Sequence, residues 1–375
     1  ILFGLLVSIF YASIQNKRQG EEHVSASWGN TKQVNAKFSQ NKKFDILLTQ
    51  NVGIGLDTHK HRRNLNVLVV GGSGAGKSRF YVKPNIMQMN TSFVVIDPKQ
   101  ELLNSTGNML KENGYEIKVL NLIDFSKSDS YNPFRYIRQD SDVIKLINNL
   151  IKNTTPKSAK QGDPFWEKAE TALIQALMFY LVHEAPSYEQ NFSMIMTMLE
   201  YGGASEDGEV TALDAIFCDL EKVKPDHIAV KQYKVFKQAA GKTASSILVS
   251  AAVRLAAFNL SEIKDITEHD DLDITSLSNK KTAVFAVIPD ADTSFNFIVG
   301  LMYSQIFQEM YYQADHVYGG ELPIKLHVLM DEFSNVSIPD DFEKLLATMR
   351  SRGISASVII QNLAQLKGLF KSSPN

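Results

Sequence analysis

Cysteine and excess basic charge are what this sequence most lacks. A single cysteine, Cys218, among 375 residues excludes an internal disulfide and a cysteine-cluster zinc site, and it suits a reducing compartment. We expect Cys218 to be a small buried hydrophobic residue. Because the net charge is −2, a nucleic-acid role would need a local basic surface, such as the inside of a ring. The composition, 44% hydrophobic and 21% charged, indicates a globular protein.

A long apolar run is also missing, but a short one opens the sequence. Residues 1–14 (ILFGLLVSIFYASI) carry no charge, and Lys17 and Arg18 follow. Fourteen residues are fewer than the ~20 that span a bilayer. The run starts at Ile1 rather than at a methionine, so we expect a fragment that opens with the end of a transmembrane helix, its basic flank on the cytoplasmic side. A signal-peptide apolar region and a buried core helix are the alternatives.

A phosphate-loop motif is the strongest signal in the chain. Residues 65–70 (LNVLVV) form an apolar run of strand length before the pattern G-x-x-x-x-G-K-[ST]. Glycines let successive N–H groups converge on phosphate oxygens, and the following helix N-terminus adds partial positive charge. Such a motif predicts binding of ATP with Mg²⁺ rather than a chance glycine-rich turn. Its residues are Gly71, Gly72, Ser73, Gly74, Ala75, Gly76, Lys77 for the β- and γ-phosphates, and Ser78 for Mg²⁺.

Further apolar runs predict an α/β fold. They lie at residues 92–96, 116–120, 282–288, 326–330 and 355–360 and alternate with helical patterns, which favours a parallel sheet with helices on both faces. Ligands of such sheets bind at the carboxyl ends of the strands. We therefore expect Asp97 and Lys99 near the nucleotide, with capping of the next helix as an equal alternative for Asp97.

Two other segments surround this pattern. Short strands of a hairpin are predicted at 44–48 and 52–56. The basic cluster at 59–63 (HKHRR) is read as a solvated loop, with phosphate contact as the alternative. Between about residues 141 and 260 helical spacing replaces strand patterns, including a helix predicted over 165–184 and a long one over 233–258.

An acidic pair supplies what a phosphate loop needs opposite it. Asp331 and Glu332 end the strand predicted at 326–330, so Asp331 is expected to hold Mg²⁺ and Glu332 to activate water as a general base. Gln361 ends the next strand and is expected to sense the γ-phosphate, with ordinary loop polarity as the alternative. Arg350 and Arg352 lie between these strands; either is a candidate arginine finger acting on a neighbouring subunit, or a surface charge at a helix end.

The order of these motifs resembles the VirD4/TraG family of type IV secretion coupling proteins, the ATPases of conjugation. The resemblance rests on VVGGSGAGKSRFYVKPN, FVVIDPKQELL, VLMDEF and RSRGISASVIIQNLAQL, along nearly the whole chain. It implies a RecA-like motor domain with an inserted all-helical domain, assembled as a hexamer at the inner face of the plasma membrane. Members of the family recruit a relaxase bound to single-stranded DNA and couple ATP hydrolysis to its transfer through the channel proteins of the secretion system.

The resemblance also implies a domain organisation, truncated at both ends. We expect the end of a transmembrane anchor in residues 1–18, the first part of the nucleotide-binding domain in 19–140, the all-helical domain in 141–262, and the second part in 263–375. Two other functions stay open. One is a DNA translocase of the FtsK/HerA type, and the other is a membrane receptor that binds ATP but mainly docks secreted protein substrates.

Overall fold

A parallel sheet organises the chain. The computed structural model describes residues 29–155, 164–203, 210–239, 242–289, 292–333 and 342–365. Six strands pair in the order β3-β8-β7-β4-β6-β5, and every pairing is parallel. Two further strands form a separate antiparallel hairpin. The strands are β1 (Asp45–Thr49), β2 (Val52–Gly55), β3 (Val67–Val70), β4 (Ser92–Pro98), β5 (Glu116–Asn121), β6 (Thr282–Ile288), β7 (Leu326–Met330) and β8 (Ile354–Ile360).

Helices cover both faces of this sheet. The α-helices are α1 (Thr31–Phe38), α2 (Thr58–His61), α3 (Lys83–Met87), α4 (Glu101–Glu112), α5 (Asp140–Thr154), α6 (Pro164–Glu184), α7 (Phe192–Tyr201), α8 (Ala212–Val223), α9 (Ile228–Lys237), α10 (Lys242–Arg254), α11 (Ser261–Thr267), α12 (Asn296–Tyr312) and α13 (Phe342–Thr348). The central strands are buried on both sides, which explains why they read as continuous apolar runs. The predicted α/β class is confirmed.

Two hydrophobic cores sandwich the sheet. On one face α3 and α4 pack against side chains that include Phe93, Phe285 and Ile359. On the other face α12 and the helices between β5 and β6 share one continuous core with alternate residues of the same strands, such as Val94 and Val284. Period-two alternation along each strand therefore divides its side chains between two separate cores.

Between β5 and β6 the regular elements of the described residues are all helices. Helix α6 matches the helix predicted over 165–184. The long helix predicted over 233–258 is wrong, because α9 ends at Lys237 and α10 begins only at Lys242. Gly241 lies in that interval, and glycine is the weakest helix former after proline. The apolar spacing of the sequence continues across this break and does not reveal it.

Cys218 also departs from expectation. It lies on α8, whose buried stripe is Leu213, Phe217 and Leu220, and Cys218 falls beside that stripe and is exposed. The residue type predicted burial, but the helical phase decided the position.

The anchor predicted at residues 1–18 lies outside the described residues. Across the part of the chain that the structure describes, no helix combines the length and apolarity needed to cross a bilayer.

Candidate nucleotide-binding site

The phosphate loop joins β3 to a single π-helical turn, Ser78–Val82. Gly74 and Gly76 take φ angles of 74° and 78°, in the left-handed region that favours glycine. A Cβ atom at Gly76 would also clash with the Phe80 ring. The N–H of Gly71 donates to the carbonyl of Ile360 at 3.1 Å, so the loop starts from a position set by β8.

Lys77 lies across this loop. Its Nζ donates to the carbonyl of Gly72 at 3.2 Å, and its side chain is half-buried. The ammonium group is therefore already on the concave side of the loop, where phosphate oxygens bind in proteins with this motif.

Ser78 and Asp331 meet although 253 positions separate them in the chain. The Ser78 hydroxyl donates to Oδ2 of Asp331 at 2.5 Å, and the other carboxylate oxygen accepts the N–H of Glu332 at 3.1 Å. Burial raises the pKa of Asp331, and the hydrogen bond from Ser78 opposes that rise. Two segments predicted separately from the sequence thus form one site.

This oxygen pair fits Mg²⁺. The ion takes few protein oxygens and completes its shell with water and substrate phosphates. A hydroxyl and a carboxylate in contact at the mouth of a phosphate loop are donors of that kind. Within the described residues no group of three or more His, Cys, Asp or Glu side chains forms a metal site of its own.

Glu332 and Gln361 are also in contact. The Gln361 amide donates to both carboxylate oxygens of Glu332, at 3.1 and 3.3 Å. Glu332 has a φ of 53°, a left-handed conformation that costs energy in a non-glycine residue and recurs at functional sites. The strands that precede the two residues, β7 and β8, are neighbours in the sheet, which brings their carboxyl ends together.

Asp97 lies at the same edge but caps a helix. Its carboxylate accepts the N–H groups of Leu102 at 2.9 Å and Leu103 at 2.7 Å, in the first turn of α4. Of the two roles predicted for Asp97, the structure shows the cap. Lys99, in the loop between Asp97 and α4, has a φ of 70°.

The environment of Asp97 changes its acidity. Asp97 is fully buried, which raises its pKa to about 6, and the carboxylates of Glu101 and Asp331 add to the rise. Because β4 and β7 pair in register, Asp97 and Asp331 follow directly opposed residues of adjacent strands. This edge therefore concentrates buried negative charge beside the phosphate loop.

The two candidate arginines lie at the opposite edge. Both belong to the short 3-10 turn Met349–Arg352 that leads into β8, so neither can reach the phosphate loop of its own chain. Arg352 forms a bidentate ion pair with Asp315, at 2.8 and 2.7 Å, and stacks on the Tyr311 ring at 4.3 Å. The Arg350 side chain is exposed and makes no hydrogen bond or ion pair with the described residues, while its backbone carbonyl accepts the N–H of Gly353 at 3.3 Å.

A buried chain of hydrogen bonds links the elements that carry the two halves of the site, and the sequence pattern did not predict it. His327 on β7 bonds to the hydroxyl of Ser357 on β8 at 2.8 Å, and Ser357 bonds to the Tyr81 hydroxyl at 2.7 Å in the turn after the phosphate loop. Burial lowers the pKa of His327 to about 4. In the sequence, this chain of hydrogen bonds is indicated only by the polar residues His327 and Ser357 within the apolar runs of β7 and β8.

Comparison with known proteins places the chain. Residues 18–373 match the family described as "Type IV secretory system Conjugative DNA transfer". The coupling protein VirD4 of Bartonella quintana (strain Toulouse) is 22% identical over 335 residues, which cover 86% of this chain and 49% of the relative. The conjugal transfer protein TraG of Escherichia coli is 21% identical over 410 residues, covering 98% and 61%. The chain thus spans about half the length of the curated relatives it matches.

Solved structures agree on the fold. Plasmid coupling protein TrwB in complex with a non-hydrolysable ATP analogue has a TM-score of 0.63 at 14% identity, covering 90% of this chain and 72% of that one. TrwB in complex with ADP and Mg²⁺ has a TM-score of 0.62 at 15% identity, with 90% and 72% covered. With the RecA-like sheet and the family match together, the chain belongs to the type IV secretion family of conjugative DNA-transfer coupling proteins.

Proposed function

We propose that this chain is the ATP-hydrolysing motor of a membrane-anchored coupling protein, which recruits a relaxase bound to single-stranded DNA and drives its transfer through a type IV secretion channel. The observation that carries this is the Ser78–Asp331 contact, with Glu332 and Gln361 beside it. Family membership supports the transport role, and the nucleotides named for the TrwB structures support ATP and Mg²⁺ as ligands. The proposal includes a hexameric ring at the cytoplasmic face of the plasma membrane.

Nucleotide binding uses the phosphate loop and the metal pair. Loop N–H groups between Gly71 and Gly76 bind the β-phosphate, and Lys77 exchanges the Gly72 carbonyl for β- and γ-phosphate oxygens. Ser78 and Asp331 would hold the metal. Mg²⁺, when bound, neutralises charge on the phosphates.

Hydrolysis then needs a base. Glu332 takes a proton from a water molecule as the water oxygen bonds to the γ-phosphorus, and the bond between that phosphorus and the leaving oxygen of ADP breaks. In the structure, Gln361 occupies both oxygens of that base. We therefore include in the proposal that Gln361 turns to the γ-phosphate when ATP binds, which frees Glu332.

An arginine from a neighbouring subunit completes the site. Arg350 is the better of the two candidates, because the guanidinium group of Arg352 already pairs with Asp315 and stacks on Tyr311. A guanidinium placed on the γ-phosphate stabilises transition-state charge, which makes hydrolysis depend on assembly.

The predicted domain division belongs to this proposal. The nucleotide-binding domain comprises residues 19–140 and 263–375, after an anchor in 1–18. Residues 141–262 form the all-helical part that presents a face to the relaxase. Their continuous core with the sheet supports rigid coupling between substrate recognition and the motor.

The deciding experiment measures ATP hydrolysis against protein concentration, with and without single-stranded DNA. We expect turnover to rise with both, because the site is shared between subunits and the substrate is DNA. Lys77→Ala should abolish turnover, while Lys83→Ala, a lysine just beyond the π-helical turn, should leave it unchanged. Turnover indifferent to concentration and DNA would contradict the motor.

A docking receptor is the second candidate, and its support is the helical surface between β5 and β6. Glu332→Gln separates the two functions, because a receptor would keep exporting substrate after hydrolysis is lost. The family match does not favour a translocase of the FtsK/HerA type.

A further inference from the structure

Positive charge is concentrated in the N-terminal layer of the described chain. Residues 29–64 contain seven lysines and arginines but only two aspartates, a net charge of +5 in a chain whose total is −2. Asp45 is buried and bonded to the Ser39 hydroxyl and to backbone N–H groups of the following loop. Asp57 caps α2 through the N–H groups of His59 and Lys60, and its other carboxylate oxygen lies 3.6 Å from the Lys60 ammonium group. The outward-facing side chains of this layer are therefore mostly basic.

The segments that carry the basic side chains are in contact with one another. Lys37 lies 5.4 Å from the centroid of the Phe38 ring, which meets His61 edge-on at 6.3 Å, so the end of α1 contacts α2. The Gln40 side-chain amide donates to the Asp57 carbonyl and accepts the Asp57 N–H. These two hydrogen bonds fix the loop after α1 against α2. We call this surface the basic platform and define it as Lys37, Lys42, Lys43, Lys60, Arg62 and Arg63.

The basic platform lies at the amino edge of the sheet, opposite the phosphate loop. Gln88, at the end of α3, donates to the Lys42 carbonyl at 3.0 Å. Lys325, just before β7, donates to the Leu56 carbonyl at 2.6 Å, just before α2. The phosphate contact considered for residues 59–63 is thus excluded for the nucleotide of the same chain. Neither Arg62 nor Arg63 has a hydrogen bond to a carboxylate of the described residues.

We propose that the basic platform rests on the anionic phospholipid surface of the membrane. Residues 1–14 are apolar and uncharged, and the fifteen residues from Gln15 to Gly29 span at most about 50 Å when extended, which keeps the basic platform within reach of any bilayer that holds the apolar run. Phe44, 52% exposed beside Lys43, suits the headgroup region. This inference rests on the membrane anchor of the proposed function.

The energetics suit a contact that orients rather than anchors. Each Lys or Arg near an anionic leaflet contributes a modest attraction, which fades within a Debye length. An apolar run supplies one membrane signal, and a basic surface is the second signal that stable membrane association needs. The amino edge would then face the bilayer and the nucleotide edge the cytoplasm.

A fluorescence experiment on the full chain tests this. The native cysteine is removed by Cys218→Ser, and Asn64→Cys, at an exposed position next to Arg63, is labelled with a polarity-sensitive fluorophore. The chain is reconstituted into vesicles of phosphatidylcholine alone or of phosphatidylcholine with phosphatidylglycerol. We expect fluorescence to rise about twofold or more only with phosphatidylglycerol, and to fall back at ~1 M salt, where the Debye length is ~3 Å.

Matched controls make the outcome specific. A label on native Cys218, in the helical segment, should not respond. Lys42→Glu with Arg62→Glu should abolish the response, whereas Lys168→Glu with Lys242→Glu, an equal charge change on exposed helical residues, should preserve it. Equal loss in both double variants would overturn the basic platform, as would a response of the same size in neutral vesicles. Loss of single-stranded DNA binding with an unchanged lipid response would identify nucleic acid as the occupant instead.

Failure of the proposed function would look different. A chain that does not associate with phosphatidylcholine vesicles lacks the anchor, and a chain whose hydrolysis does not depend on Lys77 lacks the motor. In both cases the charge-dependent signal with phosphatidylglycerol still supports the basic platform, and its absence still overturns it.

Discussion

The two edges of the sheet hold charge in opposite ways. At the carboxyl edge, Asp97 and Asp331 are buried side by side, and burial raises the pKa of both. At the amino edge, Lys42, Lys60 and Arg62 are exposed. Buried charges are few and act through geometry at close range, while exposed charges are many and act through their number and through salt-dependent attraction. This contrast underlies our proposals, which assign the chemistry to the carboxyl edge and surface association to the amino edge.

The largest expected effect tests the carboxyl edge directly. Glu332→Gln removes the base but keeps the shape, so we expect kcat to fall by about 10²–10⁴-fold with ATP affinity retained. Single-turnover hydrolysis and nucleotide titration measure the two quantities. The neighbouring amide change Asn362→Ala is the control. Equal loss of affinity and rate would mean that Glu332 serves binding.

A second prediction tests whether an arginine at the amino edge also takes part in hydrolysis. Arg350→Ala should lower kcat by about 10²-fold or more in the assembled protein and leave the dilute chain unaffected, because the proposed role of Arg350 is on the next subunit. Arg352→Ala is the matched variant. It should act mainly by lowering the melting temperature, since it removes the ion pair to Asp315. If Arg352→Ala alone costs turnover without loss of stability, the assignment is reversed.

The third prediction concerns the interior between the edges. The folded-state pKa of His327 is about 4, below the usual value of 6.5, so the unfolded chain binds more protons between these values and the free energy of unfolding falls as pH falls. We expect wild type to lose about 2 kcal/mol more than His327→Gln between pH 7 and pH 5, measured by urea unfolding. Asp97 works in the opposite sense, since its raised pKa stabilises the fold at low pH. Only the difference between the two proteins is informative, and parallel profiles would contradict the assignment.

The smallest effect belongs to the amino edge. Lys42→Glu with Arg62→Glu should change the free energy of unfolding by no more than about 0.5 kcal/mol per residue, because exposed charges far from partners contribute little to folding. Chemical denaturation of the full chain measures this. A larger loss would show that these side chains support the fold, which would weaken their assignment to a membrane contact.

The sequence predicted the parts of the site that repeat a local pattern. The phosphate loop, the acidic pair and Gln361 each follow an apolar run of strand length. The runs before the acidic pair and Gln361 are continuous because β7 and β8 are buried on both faces, whereas β3 is an edge strand with half-exposed side chains. Their convergence was predictable from the rule that carboxyl ends of parallel strands share an edge. The contact between Ser78 and Asp331 fulfils that expectation.

What the sequence could not predict depends on tertiary packing. The difference between Arg350 and Arg352 arises from Asp315 and Tyr311, which no local pattern connects to them. The hydrogen bonds of His327 likewise depend on which strands are neighbours. The burial predicted for Cys218 is wrong, because residue type favours burial while the helical phase of α8 exposes the side chain.

The pairing of β5 with β6 also explains how the sheet accommodates the long helical segment between these two strands. The polypeptide leaves the sheet at the end of β5 and returns in β6, and these strands are direct neighbours, about 4.8 Å apart. Residues 122–281 thus begin and end one strand apart, at opposite ends of two paired strands. Lengthening or exchanging this segment need not alter the spacing of Ser78, Asp331 and Gln361, which follow other strands of the sheet. The helical segment between β5 and β6 can therefore change without a change in the spacing of the nucleotide-binding side chains.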